Sequence, residues 1–400
     1  MVVSLTDKRL RAILLVAPMV IFLAVSFLAP LTIMLVRSVH EPAVAEAIPA
    51  TLEALADWDG LALPDEEQFR IAGKEFVALH QARSLGAVAT RVNRLQSGLR
   101  STMLSTAQQL GDEPPTGSWR EAMISSDEKW ADVSSWLALR RAGERYTPRF
   151  FLNALDLDRG AADEIIMQPE DRRIYVRLLL RTFLLSVAIT AICLVLAYPV
   201  AWLLVRAHPS RAGILLMLVL VPFWTSLLVR TTAWIVLLQN QGVINDLLVV
   251  LGILAEQQRL SLIHNMTGTM IAMVHVLLPF MILPLYSIMR TIPMRHMQAA
   301  ASLGASFWQS FYRVYWPQSL PGVAAGSLLV FIMSIGFYIT PALVGGRTGQ
   351  LISSMIAYHM EQSLNWGLAA ALGVILLVAV AMLYLIYNRL VGVDRLSLGG

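Results

Sequence analysis

The chain has 400 residues, 56% hydrophobic and 14% charged, with a mean hydropathy of +0.62. That excludes an ordinary soluble domain, because the apolar residues gather in runs long enough to cross lipid. The net charge of +4 hides an asymmetry: residues 41–171 hold 22 of the 27 acids and 13 of the 31 bases, leaving five acids and eighteen bases for the rest.

The basic pI comes without a stripe of basic residues interleaved with aromatics, so it does not point to nucleic acid. Cys193 is the only cysteine and lies in an apolar run, which excludes an intrachain disulfide or a cysteine metal site. No G-x-x-x-x-G-K-[ST] loop occurs, so ATP hydrolysis within the chain is not expected.

Six spans are predicted in chain order: 12–36, 182–205, 213–238, 266–289, 323–344 and 368–387. Each is about 20 residues or longer, enough for a hydrocarbon core of roughly 30 Å. The first follows Lys8, Arg9 and Arg11, but its apolar run exceeds that of a signal peptide, so it is expected to be retained. Segment 39–172 follows as a helical domain. Val88, Val92, Leu95 and Leu99 share one helical face, as do Trp130, Val133 and Leu137, and 111–118 reads as a loop; strand alternation is absent. Segment 242–254, after the third span, is too short to cross and fits a re-entrant or interfacial piece.

Arginine and lysine in the short loops orient the chain. With the N-terminus inside, Lys8, Arg9, Arg11, Arg206, Arg211, Arg290, Arg295, Arg313, Arg389 and Arg395 are cytoplasmic, against Arg259 and Arg347 outside. Arg172, Arg173, Arg177 and Arg181 fall on the outer side, next to a long translocated loop that escapes the rule. Both termini are therefore expected inside, and 39–172 outside.

Between the fourth and fifth spans, 298–317 reads as two short helices hinged at a glycine. The first can begin at Pro293 and end near Leu303, with Gly304 in the left-handed C′ conformation. Ser306 and Gln309 form a capping box for the second, Phe307, Phe311 and Val314 share its face, and Pro317 is expected to stop it.

Those residues give the chain its resemblance to the permease subunits of binding-protein-dependent ABC importers, of the spermidine/putrescine type. The family signature Glu-Ala-Ala, three residues, Gly, then a stretch to Pro is matched by Gln298, Ala299, Ala300, Gly304 and Pro317, with glutamine in place of the acid. Ala197-Tyr-Pro-Val-Ala201, Pro222-Phe-Trp-Thr-Ser-Leu-Leu-Val-Arg230 and Phe337-Tyr-Ile-Thr-Pro-Ala-Leu-Val-Gly-Gly346 extend the match over roughly 175–390 and the first span; the insertion at 45–145 lies outside it.

The resemblance implies an all-α integral membrane protein with six transmembrane helices in the type I importer permease fold and an extracytoplasmic helical insertion. Its expected parts are 1–38 (cytoplasmic N-terminus and first helix), 39–172 (insertion), 173–390 (core, with a cytoplasmic coupling loop at 291–322) and 391–400 (cytoplasmic tail). It implies a multi-pass protein of the bacterial inner membrane. The expected partners are two ABC ATPase subunits, which hold ATP and Mg, a second permease subunit, an extracytoplasmic solute-binding protein and the bilayer. No cofactor is expected in this chain, and the solute is polyamine-like by resemblance. Gln298, Ala299, Ala300, Gly304, Ser306, Phe307, Phe311 and Pro317 are the expected ATPase-coupling residues.

Trp224, Arg230, Trp234, Tyr338 and Pro341 are candidates for the path or its gate, Pro341 beside Gly345 and Gly346 marking a bend. Arg230 lies about 26 Å along its span, where snorkelling outward competes with a functional role. His275 reads as a helix-to-helix hydrogen-bonding residue. No Asp or Glu falls inside a span, which counts against an ion-coupled carrier, and no H-E-x-x-H or intramembrane aspartate suggests an enzyme. The competing class is a polytopic sensor or scaffold with a ligand-binding outer cap.

Overall fold

The computed structural model describes residues 3–160 and 163–391; of the expected tail at 391–400, all but Val391 lies outside them. The chain divides into two compact units. One runs to Pro169 and takes in Trp366–Ala371; the other comprises Glu170–Asn365 and the chain from Leu372.

In the first unit, Ile13–Arg37 is a membrane-length apolar helix, exposed along its length and widened by a π-turn at Ala24–Leu28. The helices that follow close on a core of their own around Phe69, Phe76, Met103, Met123, Trp130 and Trp136. Trp130 donates its indole N–H to Thr106 Oγ1 (2.9 Å) and Trp136 donates to the Trp130 carbonyl (3.1 Å), so both large rings are buried with their polar atoms satisfied. Asp65 and Gln68 form a capping box at the start of helix Glu66–Gln81. The Glu66 carboxylate accepts from Ser118 Oγ (2.7 Å) and from the backbone N–H groups of Trp119 and Arg120, tying that helix to the start of Trp119–Ser126. These bonds hold its pKa below the ordinary value, outweighing the upward push of burial.

Two sequence expectations change here. The face shared by Val88, Val92, Leu95 and Leu99 runs across two helices, Leu85–Val92 and Leu99–Asp112, broken at Gly98 with φ +94°. A short antiparallel hairpin also forms, Leu157–Arg159 with Ile165–Met167 and Leu157 opposite Met167. Three residues per strand are too few for a period of two to register in sequence.

The second unit packs around three long helices, Tyr175–Arg206, Met266–Thr291 and the chain from Phe307 to Gly336. Their seam uses small residues. A Cβ on Gly326 would meet Met281 Sδ at 2.8 Å, and one on Gly322 would meet Ile288 Cβ at 3.0 Å. Without a hydrophobic force between helices in lipid, such close approach and interhelical hydroxyl bonds hold a bundle together. Ser334 donates to Ser186 (3.1 Å), and Tyr198 and Ser319 share a bond of 3.0 Å.

Six described helical segments are long and apolar enough to cross a membrane, but they are not quite the six expected. The second starts seven residues early, at Tyr175, so Arg177 and Arg181 lie in its first turns. The third, expected as 213–238, is two helices, Pro209–Trp224 and Leu227–Leu238, and the membrane-length segment is Leu227–Val250. Pro222 withholds a donor near the break, Thr225 and Ser226 are extended, and Thr225 Oγ1 bonds back to the Pro222 carbonyl (2.8 Å). The short apolar piece at 242–254 contains a helix, Val243–Val250. The fifth ends at Gly336 rather than 344, and Ile339–Val344 is a separate turn of helix.

Candidate functional site

The fourth span ends at Thr291, and the chain turns through Pro293 into helix Arg295–Ser302. Its end is a full Schellman closure: Ala305 N–H bonds to Ala300 O (3.1 Å) and Gly304 N–H to Ala301 O (2.9 Å). Gly304 sits at φ +85°. Ser306 then caps the next helix, its Oγ accepting from Gln309 N–H (3.3 Å) while Gln309 Oε1 accepts from Ser306 N–H (2.9 Å). Two helices with a reciprocal cap at one joint form a bracket of fixed shape.

Pro317 does not stop the second helix. Phe307–Ser310 passes through a π-turn at Phe311–Tyr315 directly into Trp316–Gly336. Trp316 N–H reaches back five residues to Phe311 O, and this wider turn accommodates the proline ring and its missing donor. The second arm of the bracket, expected within a loop at 291–322, is therefore continuous with the helix of the fifth span.

The bracket has two faces. Met297 and Tyr315 are buried in the helix-bundle core. Gln298, Ala299, Gly304, Ser306, Trp308 and Tyr312 are exposed, and Phe307 is 52% exposed. Phe311 is half-buried, 6.4 Å from Phe307 and 5.5 Å from Trp202 between ring centroids. Ala300 and Val314 are half-buried as well.

Trp202 also packs edge-on to Tyr315 (4.3 Å), beneath the Arg206 guanidinium (4.1 Å), and Tyr198 packs on Trp316 (5.1 Å). The bracket is thus clasped to the end of helix Tyr175–Arg206 by rings. Sequence reasoning took Tyr198 only as part of the match at Ala197-Tyr-Pro-Val-Ala201 and passed over Trp202, although their i, i+4 spacing puts both on one face.

The candidate path residues lie on three elements, Trp224 on Pro209–Trp224, Arg230 and Trp234 on Leu227–Leu238, and Tyr338 and Pro341 at the start of Ile339–Val344. Trp224 ends its helix, 71% exposed. Arg230 folds back, donating to the Thr225 carbonyl (2.9 Å), so its charge satisfies the break in the third span. Trp234 donates to His275 Nδ1 (3.1 Å), the helix-to-helix bond expected of His275. Thr231 and Thr340 hydroxyls, both buried, meet at 3.3 Å.

The break beyond the fifth span falls at Phe337 and Tyr338, not at Pro341. Pro341 sits in the first turn of Ile339–Val344, where no N–H is needed. Ser353 and Ser354 hydroxyls donate to the carbonyls of Phe337 (2.6 Å) and Tyr338 (3.3 Å), tying a later segment to the break. Gly345 and Gly349 instead allow close approach, since a Cβ on either would fall about 2.5 Å from Thr269 Oγ1. Among the described residues, no group of three His, Cys, Asp or Glu side chains could hold a metal ion.

A bundle of membrane-length helices with a capped, partly apolar bracket between two of them defines a polytopic membrane protein. Comparison with known proteins gives the class its family. Residues 172–392 match the family described as "Binding-protein-dependent transport system inner membrane component". The spermidine/putrescine transport system permease protein PotB of Haemophilus influenzae is 36% identical over 216 residues, covering 54% of this chain and 75% of that protein. PotB of Escherichia coli K12 is 33% identical, covering 54% and 78%. The inner membrane ABC transporter permease protein YdcU of the same strain is 32% identical over 229 residues, covering 55% and 73%. Among solved structures, a bacterial ABC transporter involved in import of the acidic polysaccharide alginate is 19% identical with a TM-score of 0.46, covering 56% of this chain and 80% of that one.

The chain belongs to the binding-protein-dependent ABC importer permeases, in the polyamine-type family. It is a multi-pass inner-membrane protein with the all-α type I permease fold.

Proposed function

We propose that this chain forms one half of the translocation path of an ATP-driven importer and takes mechanical force through the bracket at 293–317. Both termini and the bracket face the cytoplasm, where two ABC ATPase subunits hold ATP and Mg. A second permease subunit completes the path, and an extracytoplasmic binding protein delivers the solute. Segment 39–172 lies on that outer side. The polyamine-type relatives favour a polyamine-like solute. Asp246, near the end of Leu227–Val250, is the one acid among the described membrane-length segments and it pairs with Arg259 (2.7 Å), so selection rests mainly with the binding protein.

The observation that carries this is the bracket's build. Caps at the hinge fix its shape, buried Met297 and Tyr315 root it in the bundle, and exposed Ala299, Phe307 and Trp308 offer a face suited to a protein groove. Small alanines in the first arm, with Arg295 and Arg313 the bracket's two arginines, fit protein contact better than an interfacial helix, which favours Lys and Arg along its polar face. The test is to purify the chain with its ATPase subunits. Gly304→Val, which forces a β-branched residue to φ +85°, is expected to release them while leaving the chain in the membrane. An ATPase that stays fully bound would overturn the docking role.

A further inference from the structure

Between the two arms of the bracket runs a groove of about 340 Å³, lined by Ala300, Leu303 and Ala305 on one side and Ser310, Arg313 and Val314 on the other. It stands at the small end of ligand-sized pockets, roughly 300–1,000 Å³. Two features are unusual. Ser310 is 98% buried, yet its hydroxyl has no hydrogen-bond partner among the described residues. Helical Ser and Thr normally bond back to the preceding turn, as Ser302 does to Gln298 O and Thr231 to Leu227 O; Ser310 does not. Arg313 is exposed and shows no ion pair or hydrogen bond among the described residues.

Charge then says what the groove fits. From residue 257 to residue 360 the chain contains no Asp or Glu, while Arg290, Arg295 and Arg313 all lie at or beside the bracket. The position where the family signature carries its acid is Gln298. A surface with bases and no acids is complementary to an acidic one. The planar guanidinium is the group best shaped for a carboxylate.

We infer that the groove between the bracket arms receives a carboxylate-bearing side chain of the ATPase, paired by Arg313 and hydrogen-bonded by Ser310. This rests on the docking reading above and deepens it: the permease presents the basic face of the joint and the motor the acidic one. Leu303, 89% exposed at the rim, supplies an apolar contact beside the charge.

The test uses the permease reconstituted in nanodiscs of neutral or of anionic lipid, titrated with its ATPase, with half-saturation of ATP hydrolysis as readout. Arg313→Glu is expected to raise the half-saturating concentration roughly tenfold or more. Arg313→Lys should fall between it and the wild type. Salt should weaken the wild type more than Arg313→Gln, which also serves if the charge reversal misfolds. Ser310→Ala supplies a readout of opposite sign, raising the melting temperature of the permease alone, since an unsatisfied hydroxyl is removed, while weakening the ATPase. A purely structural serine would move both the same way, and that result overturns its part in the site.

If Arg313→Glu stays within about twofold of wild type while Gly304→Val still releases the ATPase, the inference fails and docking stands. If neither substitution changes binding, both fail. If the Arg313 effect appears only in anionic lipid, the groove serves a lipid headgroup and the inference is overturned.

Discussion

At the scale of single residues, the hinge depends on backbone shape more than on packing. A Cβ at Gly304 would meet nothing within 4 Å, so alanine there is opposed only by the left-handed conformation, a cost of roughly 1–2 kcal/mol. Gly304→Ala is therefore expected to weaken ATP-driven uptake, and Gly304→Asn, which tolerates that conformation better, to retain more of it. Equal loss in both would mean that side-chain space matters after all. Ser306→Ala removes one half of a reciprocal cap worth about 1 kcal/mol, and faster hydrogen exchange at Phe307–Ser310 should report it.

At the scale of elements, the ring clasp connects the bracket to helix Tyr175–Arg206. Truncating the Trp202 ring removes its contacts with Phe311, Tyr315 and Arg206, and buried Trp→Ala changes cost about 3–5 kcal/mol. Trp202 is only half-buried, so the low end of that range applies. The expected phenotype of Trp202→Ala is ATP hydrolysis without matching uptake, measured in proteoliposomes. Proportional loss of both would place the clasp in simple stability.

The elements also divide by how legible they were in sequence. The caps around Gly304 involve residues within a few positions of one another, and residue type dictates them locally. The breaks at Thr225 and Phe337 are decided by partners the sequence does not mark. Arg230 folds back onto the first, while Ser353 and Ser354 cross from another segment to the second. The run of Pro317 into a long helix depends on a π-turn that no periodicity announces. Proline was a fair sign of trouble near Trp224 and a poor one at 317 and 341, where turn register or helix position removes its penalty.

At the scale of the whole molecule, an independently cored domain accompanies a bundle whose seams depend on glycine contacts and hydroxyl bonds, and the two should respond differently to acid. Glu66 has its folded-state pKa lowered. Its contribution is therefore fully present above the unfolded value and lost as pH falls through the lower folded value. Hydrogen exchange across Glu66–Gln81 and Trp119–Ser126 should accelerate in that acid window, and Glu66→Gln should flatten the dependence. An unchanged acid limb would assign the dependence to other carboxylates.

The central claim is that a motor grips the bracket from inside the cell, and the sidedness of Trp308 tests it most directly. Cys193 is buried and is the only cysteine, so Cys193→Ser with Trp308→Cys gives a single exposed thiol. A membrane-impermeant maleimide is expected to leave that thiol untouched in intact cells, to modify it in inverted vesicles, and to be blocked there when the ATPase is bound. Modification from outside intact cells would contradict the account.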